Sequence, residues 1–600
     1  MQKKLVILFS MIILAFIALI GQIIRINAES GDRFTRRVLG QQAYDSRTIP
    51  FRRGDILDTN HTKIATSERV YNVILDVFVM TSRDAFIEPT IAMLDEVFDL
   101  DPNEIRSIIE QRPTSRYEIL VRRINYDKFL QFHEARTRDE FQLARGIWLE
   151  EDFLRTYPYD HLASSVIGFT VAGNLGNSGL EFFYNDVLNG TDGREFGFFA
   201  TENQSERMLQ PPVNGHSIVT TLDITLHAMI EEAVAEFNAK FASGPYRDQL
   251  GSLNTSVLVM NPNTGAILAD VSYPNFNLNT PRDLTSFIPE EVLQNMDSEA
   301  RLVAMQELWR NFVISDAFEP GSTTKGLTVA AGFESGALRG DEMYYCTGVR
   351  QVADHAIRCA LRTGHGWQNI EQAIANSCNV ALMEMAFQIG VEDFARFQSI
   401  FGFGKPTGID LPGEASAATL MYTAETMRIT DLATNSFGQN FGTTMIQLGA
   451  AFSSMINGGN FYRPHIVRQI LDDSGRVVET IDPVLVRRTV SAETSERLRN
   501  YHRATLTYGT ARSIDVPGFD VGGKTGTAQK LPRAAGKHLI SFIGFAPVEK
   551  PEVLVYVVID EPNIPYFEFP NFILRLSERI MNDIFPYLNV TRIAESPDLE

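Results

Sequence analysis

The chain has 600 residues, more than one hydrophobic core usually organises, so two or more domains are expected. Its hydrophobic fraction of 44% and charged fraction of 21% are those of a folded protein. The formal net charge of -20 argues against a nucleic-acid-binding protein, which needs a basic face. The cysteines, Cys346, Cys359 and Cys378, are too few for a disulfide scaffold. No CxxC or HxxxH spacing indicates a metal site, so no metal is predicted.

An apolar segment follows a pair of lysines at the N-terminus. Residues 5–24 carry no charge, and about 20 apolar residues are enough to span a bilayer. A cleaved signal peptide has a shorter apolar core and a small-residue cleavage site, which the residues before Ala28 do not provide. We therefore predict a single transmembrane anchor at 5–24 in the cell membrane, with residues 1–4 in the cytoplasm and the rest outside. The alternative is a secreted protein.

Two domains are predicted after the anchor. Residues 28–215 mix short strands, acidic helices and turns, without a recognisable catalytic constellation. Residues 216–590 begin with a strand, a helix and a hairpin, become helical over roughly 322–400, and end in three antiparallel strands. This order predicts an α+β domain whose antiparallel sheet takes strands from both ends of the segment. An acidic tail over 591–600 follows. The predicted strands of the sheet are 256–260, 266–271, 521–528, 539–545 and 553–560.

The first candidate for chemistry is the segment Ser322-Thr-Thr-Lys325. A proline and a glycine precede it, so a helix can begin there and place Ser322 and Lys325 one turn apart on one face. A serine becomes a nucleophile when a base takes its proton, and a lysine can be that base if burial lowers its pKa. The helix N-terminus also offers N–H groups to an oxyanion. Alone the motif is weak, because about 2–3 SxxK matches arise by chance in a chain of this length.

The segment Ser377-Cys-Asn379 is the second candidate. Ser377 could relay a proton to a leaving amine, and Asn379 could bind a substrate amide. Taken alone, however, the segment is more typical of a helix terminus or a turn.

The segment Lys524-Thr525-Gly526-Thr527 is the most specific, since a KTG triplet arises by chance only about 0.1 times per chain of this length. On a strand, Thr525 and Thr527 share one face, and Lys524 and Gly526 share the other. Two hydroxyls beside a cation suit a substrate carboxylate, and the glycine lets a peptide lie against the strand. The alternatives are a phosphate or other anion site, or a polar edge strand.

The order SxxK, SxN, KTG on a helix, a loop and a strand is the pattern of serine penicillin-recognising enzymes. Beyond these motifs the chain resembles class B penicillin-binding proteins over nearly its whole length. The Glu319-Pro-Gly-Ser segment, Gly364-His365-Gly366 and the pair Cys346 and Cys359 resemble the division and sporulation branch. Other supporting matches are Arg53–Asp58, Gly179–Glu181, Thr407–Glu414 and Asn457–Gly459.

The resemblance implies a penicillin-binding-protein and β-lactamase-like domain, an antiparallel sheet with flanking helices and a helical subdomain, on an elongated N-terminal pedestal. It implies a peptidoglycan D,D-transpeptidase of septal or spore-wall synthesis. The implied partners are stem peptides, β-lactams, a membrane glycosyltransferase and division-complex proteins, and no cofactor is implied.

The resemblance also assigns roles to single residues. Ser322 would form the acyl-enzyme, assisted by Lys325, Ser377 and Asn379. Lys524, Thr525 and Thr527 would hold the terminal carboxylate of the substrate, with Gly526 between them. Cys346 and Cys359 would form a possible redox pair, in which oxidation acts as an off switch. They could equally be two small buried residues, and Cys378 is expected to point into the core.

The chain departs from the family pattern at scaffold positions and at one loop beside the site. Thr59 and His61 replace an arginine and a glycine, Asn440 and Met445 replace a glycine and a proline, and 564–570 replaces a glycine-rich segment. A β-lactamase or D,D-carboxypeptidase that transfers the acyl group to water is one alternative function. A non-catalytic division-complex scaffold or penicillin sensor is another.

Overall fold

The computed structural model describes Leu19, Gln22 and residues 46–197, 207–246 and 250–593. The predicted anchor at 5–24 lies outside these residues except for Leu19 and Gln22. Residues 1–4 and the predicted tail from residue 594 onward also lie outside them. Among the helices that the structure describes, none combines the length and the apolar character that a membrane crossing requires.

The strands are numbered here in chain order. They are β1 Ser46–Ile49, β2 Ile56–Leu57, β3 Lys63–Leu75, β4 Glu118–Ile124, β5 Ile147–Thr156, β6 Thr170–Val171, β7 Leu175–Gly176, β8 Gly193–Gly197, β9 Arg207–Gln210, β10 Ser217–Thr220, β11 Asn254–Met260, β12 Ile267–Tyr273, β13 Met343–Cys346, β14 Val349–Val352, β15 His355–Arg358, β16 Gly366–Asn369, β17 Asn460–Tyr462, β18 Val467–Leu471, β19 Val477–Thr480, β20 Leu485–Arg488, β21 Gly522–Gln529, β22 His538–Ala546 and β23 Val553–Asp560.

The α-helices are numbered in the same way. They are α1 Val77–Met80, α2 Ile87–Phe98, α3 Pro102–Gln111, α4 Tyr126–Ala135, α5 Ser164–Ile167, α6 Gly179–Phe183, α7 Asn185–Leu188, α8 Ile224–Lys240, α9 Glu290–Asn295, α10 Ser298–Trp309, α11 Phe312–Ser315, α12 Lys325–Glu334, α13 Ile370–Ala375, α14 Asn379–Ile400, α15 Ile429–Asn435, α16 Met445–Ile456, α17 Ala492–Thr507 and α18 Phe569–Tyr587.

The chain forms two compact units, each built from separate stretches of sequence. The first comprises the described residues up to Arg52 together with Glu68–Leu154 and Gly190–Gly215. The second comprises Arg53–Ser67, Arg155–Asn189 and the chain from His216 onward. Two segments that precede the predicted boundary at 215/216 therefore pack within the second unit.

The first unit packs helices α1 to α4 around a small core. Strand β8 pairs antiparallel with β1 and with β9, and the end of β3 pairs with β4. Buried side chains of α2 and α4, among them Leu94 and Phe132, share this core with the end of β3. Helix α3 has a well-formed start, because the Asp101 side chain accepts the Asn103 N–H and Pro102 occupies the first turn.

The second unit is built on a five-stranded antiparallel sheet in the order β12-β11-β23-β22-β21. Strands β11 and β12 form the predicted hairpin, and β21, β22 and β23 are the three predicted late strands. The pairing of β11 with β23 joins the two ends of the chain segment, which confirms the predicted closure of the sheet. A smaller group of strands includes β10, which pairs with β18 and, in parallel, with β2.

Helices cover both faces of the five-stranded sheet. On one face, Val257 and Val259 of β11 share a core with α8 and α18. On the other face, Leu258 and Met260 share a core with α12 and α16. Helix α8 begins after Asp223, whose carboxylate accepts the N–H groups of Thr225 and Leu226.

The predicted helical region at 322–400 is only partly helical. Helices α12, α13 and α14 lie in it, but residues 343–369 form the short strands β13 to β16. Strand β13 pairs with β16, and β14 pairs with β15. Glycines at 348, 364 and 366 adopt positive φ angles of 88°, 83° and 70°. These conformations interrupt a helix, so the segment folds back on itself instead.

A buried ion cluster joins two segments of the second unit. Glu181 has no solvent exposure, and its carboxylate accepts Arg53 Nε at 2.7 Å and Arg155 Nε at 2.7 Å. The Tyr157 hydroxyl donates to the same carboxylate at 3.2 Å. The clustered residues come from the segments Arg53–Ser67 and Arg155–Asn189, so the cluster fixes these two segments to each other within this unit.

Candidate active site

Ser322 lies in a 3-10 turn, Gly321–Thr324, that leads into α12. Gly321 has a φ of 60°, and a Cβ atom there would lie 2.7 Å from the Thr527 carbonyl oxygen. A Cβ atom on Gly526 would lie 2.4 Å from Ser541 Oγ and 3.1 Å from the Pro320 carbonyl oxygen. The two glycines therefore allow the turn to pack directly against β21, which places Ser322 beside the strand that carries the KTG motif.

The Ser322 side chain is half-buried. Its hydroxyl has no hydrogen-bond partner among the residues that the structure describes. The side chain precedes Lys325 by one helical turn, as the sequence predicts. The hydroxyl is thus available to a substrate at the start of a helix, but no base is engaged with it in this structure.

Lys325 connects the first motif to the second. Its side chain has no solvent exposure, and its Nζ donates to the Ser377 carbonyl oxygen at 2.6 Å, to Ser377 Oγ at 3.1 Å and to Asn379 Oδ1 at 2.8 Å. Burial lowers the pKa of the Lys325 ammonium to about 8, while nearby thiols act in the opposite direction. A lysine with this pKa can release its proton near neutral pH, as a general base must.

The second motif is held in place by its backbone and by neighbouring segments. Ser377 adopts a left-handed conformation with a φ of 54°, which turns the chain between α13 and α14. Asn379 is the first residue of α14, and its Nδ2 donates to the Arg358 carbonyl oxygen at 3.2 Å. The amide is therefore oriented from both ends, since its oxygen accepts from Lys325.

The KTG motif occupies β21, the outermost strand of the five-stranded sheet. Lys524 and Gly526 are buried, Thr525 is half-buried and Thr527 is exposed, which confirms the predicted alternation. Lys524 Nζ donates to the Thr525 carbonyl oxygen at 3.3 Å. Burial, together with the charge of Lys325, lowers the pKa of Lys524 well below its ordinary value. The Thr525 hydroxyl also contacts that of Thr510 at 3.0 Å, a partner that the sequence did not predict.

A cavity of about 510 Å³ lies beside this constellation. Phe318, Glu319, Tyr422 and Asn440 contribute to its walls, together with residues 528–531 at the end of β21. Neither Ser322 nor Lys325 is among its lining residues. The cavity adjoins both the serine turn and the end of the KTG strand, so it offers room for part of a peptide substrate.

The three cysteines and His365 form a cluster next to the second motif. One ligand-capable atom from each of Cys346, Cys359, His365 and Cys378 lies within 4.8 Å of all the others. The cysteines are free and buried, and His365 is half-buried. The Cys359 and Cys378 thiols form a hydrogen bond, which lowers the pKa of Cys359 and raises the pKa of Cys378.

This cluster is what the sequence interpretation missed. The absence of CxxC or HxxxH spacing led to the prediction of no metal site, and Cys378 was expected to be separate from the pair Cys346 and Cys359. Cys378 is buried, but its Sγ lies 3.9 Å from Cys359 Sγ. The available signal was that all three cysteines of the chain fall between residues 346 and 378, with a Gly-His-Gly segment among them.

Comparison with known proteins identifies the two parts of the chain. Residues 255–585 match the penicillin binding protein transpeptidase domain, and residues 48–220 match the penicillin-binding protein dimerisation domain. Stage V sporulation protein D of Bacillus subtilis is 30% identical, over 96% of this chain and 86% of that protein. The probable peptidoglycan D,D-transpeptidase PenA of Neisseria meningitidis is 28% identical, over 86% of this chain and 81% of that protein.

Solved structures show the same fold. Penicillin binding protein 2X from Streptococcus thermophilus superposes with a TM-score of 0.73 at 21% identity, covering 91% of this chain and 81% of that chain. The predicted resemblance is therefore confirmed by both sequence and structure. The chain belongs to the penicillin-binding protein transpeptidase family and also carries the dimerisation domain found in such proteins.

Proposed function

We propose that this protein is a serine-type peptidoglycan D,D-transpeptidase that acts through an acyl-enzyme at Ser322. The observation that carries the proposal is the buried Lys325 amine, which binds both residues of the SxN motif one helical turn from Ser322. The names of the relatives, which include peptidoglycan D,D-transpeptidases and a sporulation protein, support the same reaction in septal or spore-wall synthesis.

The electrostatics of the site favour a substrate that carries a carboxylate. Lys325 and Lys524 are both without solvent exposure, and the hydrogen bonds of their amines that the structure gives all lead to neutral oxygen atoms. The negative charge of a carboxylate that enters beside them would favour the protonated form of Lys524 and be attracted by it, while the Lys325 amine can still take the Ser322 proton. The terminal carboxylate of a stem peptide ending in D-alanyl-D-alanine, or that of a β-lactam, supplies this charge.

The reaction begins when the Ser322 hydroxyl attacks the penultimate carbonyl of the stem peptide and loses its proton to the Lys325 amine. The backbone N–H groups of Ser322 and Thr527 stabilise the oxyanion. The bond to the terminal residue then breaks, and its amine leaves with a proton relayed through Lys325 and Ser377. An amine from a second stem peptide attacks the acyl-enzyme and releases Ser322 in the reverse sequence of proton transfers.

The shape of β21 suits the binding of an extended peptide. It is an edge strand, and an extended segment can pair with such an edge through main-chain hydrogen bonds. Thr525 and Thr527 on one face of the strand would bind the carboxylate, while Lys524 would supply positive charge from the other.

The proposal is tested by incubating the protein with a stem peptide that ends in D-alanyl-D-alanine and with a free D-amino acid as acceptor. We expect release of D-alanine together with the exchanged peptide. In a separate labelling experiment, a fluorescent penicillin should become attached to the tryptic peptide that contains Ser322. A β-lactamase would hydrolyse penicillin rapidly without retaining the label, and a scaffold or sensor would give no exchanged peptide. Either result would contradict the proposal.

Replacing Lys524 or Thr527 by alanine is expected to slow acylation by penicillin about 10- to 150-fold, because one charge-assisted hydrogen bond is worth about 1.5–3 kcal/mol. Thr507→Ala, an exposed threonine of α17, is the matched control and should leave acylation unchanged. The rate of acylation is measured by stopped-flow fluorescence with penicillin and with an acylating probe that lacks a carboxylate. If both compounds are slowed equally, the carboxylate is not what these residues bind.

The location and organisation of the chain belong to the same proposal. The segment 5–24 would anchor the protein in the cell membrane, with the catalytic domain on the outer face. The proposed domains are the pedestal at 28–215 and the transpeptidase at 216–590, followed by the tail at 591–600. Because no glycosyltransferase motif is recognisable in this sequence, a separate membrane glycosyltransferase would be one partner, and division-complex proteins would be others.

A further inference from the structure

We propose that Cys346, Cys359, Cys378 and His365 bind one zinc ion, and that this ion fixes the loop that carries Ser377 and Asn379. The metal part of this proposal stands on the cluster alone. The part that concerns catalysis rests on the function proposed above.

The distances in the cluster are those of a tetrahedral site. Cys359 Sγ lies 3.9 Å from Cys378 Sγ and 3.6 Å from His365 Nδ1. Tetrahedral zinc with Zn–S bonds of about 2.3 Å and a Zn–N bond of about 2.0 Å requires S···S separations of about 3.8 Å and S···N separations of about 3.5 Å. A disulfide would need about 2.05 Å between two sulfur atoms. These two distances match a tetrahedral site, and the remaining ligand atoms lie within 4.8 Å of one another, close enough to share one ion.

The chemistry of the ligands also points to zinc. Three thiols and one imidazole form a Cys₃His set, which is a structural zinc site with no open coordination position. All three cysteines are almost fully buried, at 2%, 1% and 0% exposure for Cys346, Cys359 and Cys378. The ion would thus be enclosed by protein and would stabilise the fold without taking part in the reaction.

The backbone brings the four ligands together from separate elements. Cys346 ends β13 and pairs with Gly366, the residue after His365. A Cβ atom on Gly348 would lie 2.1 Å from the Arg362 carbonyl oxygen, and one on Gly364 would lie 2.3 Å from the Cys346 carbonyl oxygen. These glycines allow the two hairpin segments to approach closely, which places Cys346 beside His365.

Each thiol also accepts a backbone hydrogen bond of the kind that stabilises metal thiolates. The N–H groups of Gly348, Asn379 and Ala381 donate to Cys346, Cys359 and Cys378 respectively, each at 3.4 Å. Such outer contacts orient the ligands and delocalise the charge on sulfur. Three amides that converge on three thiols indicate a site arranged for thiolates rather than three unrelated buried cysteines.

The charge of the neighbourhood fits the same site. Three thiolates, one neutral imidazole and a divalent ion carry a net charge of -1, which needs a compensating cation when buried. The Lys325 amine lies beside the cluster, because it donates to Ser377 and Asn379 on either side of Cys378. In its protonated form this lysine balances the charge of a metal-thiolate centre, and as the neutral amine it takes the Ser322 proton.

The position of Cys378 links the ion to the active site. Cys378 lies between Ser377 and Asn379, both of which bind the Lys325 amine. In addition, the Asn379 N–H donates to Cys359. An ion bound to both cysteines would hold the loop at two points, so the four ligands act as positioning residues for Ser377 and Asn379.

The metal is tested on the full-length chain, purified in detergent with a reducing agent and without chelator from cells grown with added zinc. We expect about one zinc per chain by mass spectrometry, because a Cys₃His set fills one tetrahedral site. His355→Ala, which removes an exposed histidine of β15, is the control and should keep its zinc. Cys378→Ser and His365→Ala should lose it, and His365→Cys should retain it. Wild-type protein without metal, with three reactive thiols or a Cys346–Cys359 disulfide, would overturn the proposal.

Cobalt replacement tests the metal site in the wild-type protein, so the result does not depend on whether the variants fold. Wild-type protein refilled with Co²⁺ should show the intense thiolate-to-cobalt charge-transfer absorption and the visible bands of a tetrahedral site. An octahedral cobalt spectrum without charge transfer would mean that the cysteines are not ligands, and it would overturn the proposal.

The positioning role is tested by the rate of acylation with penicillin before and after removal of zinc. We expect removal of zinc to slow acylation about 10-fold or more, the effect typical of losing the contacts that orient the residues of a site. Adding zinc back should restore the rate, and the His365→Cys variant with bound zinc should react as fast as the wild-type protein. Equal rates with and without zinc would disprove the positioning role. If the wild-type protein is not acylated at all, the proposed function fails, but the zinc content and the cobalt spectrum still decide the metal site.

Discussion

Ser322→Ala is expected to abolish covalent labelling by β-lactams and to leave the protein folded. The acyl group needs the Ser322 oxygen, and the structure places this hydroxyl at the start of a helix, against the KTG strand. The half-buried hydroxyl has no hydrogen-bond partner among the described residues, so its removal should change the free energy of unfolding by no more than about 1 kcal/mol. Labelling is measured with a fluorescent penicillin after gel separation, and stability is measured by thermal unfolding.

Ser335→Ala is the matched control for this variant. Ser335 follows the other end of α12, is also half-buried, and its hydroxyl donates to the Gly332 carbonyl oxygen at 3.2 Å. The Ser335→Ala variant should be labelled as fast as the wild-type protein. A stable Ser322→Ala variant that still carries the label on another serine would show that the nucleophile has been misassigned.

The catalytic constellation was largely predictable because short motifs fix their own local structure. Pro320 and Gly321 predict the turn that begins α12, so the spacing of Ser322 and Lys325 already places them on one face. Alternation along a strand likewise predicts which face of β21 carries Thr525 and Thr527. What these patterns could not supply is the contact between motifs, since Lys325 meets Ser377 and Asn379 only through tertiary packing.

The order of the sheet and the cysteine cluster lay beyond local patterns. A strand such as β11, buried on both faces, has no alternation that reveals its neighbours, so its pairing with β23 required the structure. Cys346, Cys359, His365 and Cys378 converge because glycines turn the chain back in residues 343–369, where helical periodicity had been assumed. Ligand spacing identifies a metal site only when the ligands share one local element, and here they do not.

The segments around Arg53 and Glu181 match the family pattern but have a structural role. Both belong to motifs that support the family resemblance, yet they lie far from the reacting atoms in sequence and carry no catalytic group. The structure shows their role, because the Arg53 and Arg155 guanidinium groups both pair with the Glu181 carboxylate in the interior. These matches therefore report on folding of the second unit and say nothing about the reaction.

Glu181→Gln is expected to destabilise the protein by about 3–5 kcal/mol, the cost of breaking a buried ion pair and leaving its partners unpaired. Arg53, Arg155 and Glu181 are exposed by only 1%, 9% and 0%. Loss of the carboxylate leaves the two buried guanidinium groups without the counter-charge of this residue. The amide that replaces it also places an N–H group opposite the guanidinium N–H groups, where no hydrogen bond can form. The loss of stability is measured by urea unfolding, as a lower midpoint concentration with an unchanged dependence of the unfolding free energy on urea.

The control for this variant is Glu493→Gln, which breaks a surface pair with Arg497 at 2.7 Å, where the side chains are 75% and 41% exposed. Exposed pairs one turn apart contribute only about 0.3–0.5 kcal/mol, because water screens them and ordering the side chains costs entropy. Replacing Arg155 by methionine in the Glu181→Gln background should recover part of the loss, since one of the two unpaired charges is removed. A Glu181→Gln variant as stable as Glu493→Gln would mean that water or a local rearrangement compensates for the missing carboxylate, and that this cluster does not hold the two segments together.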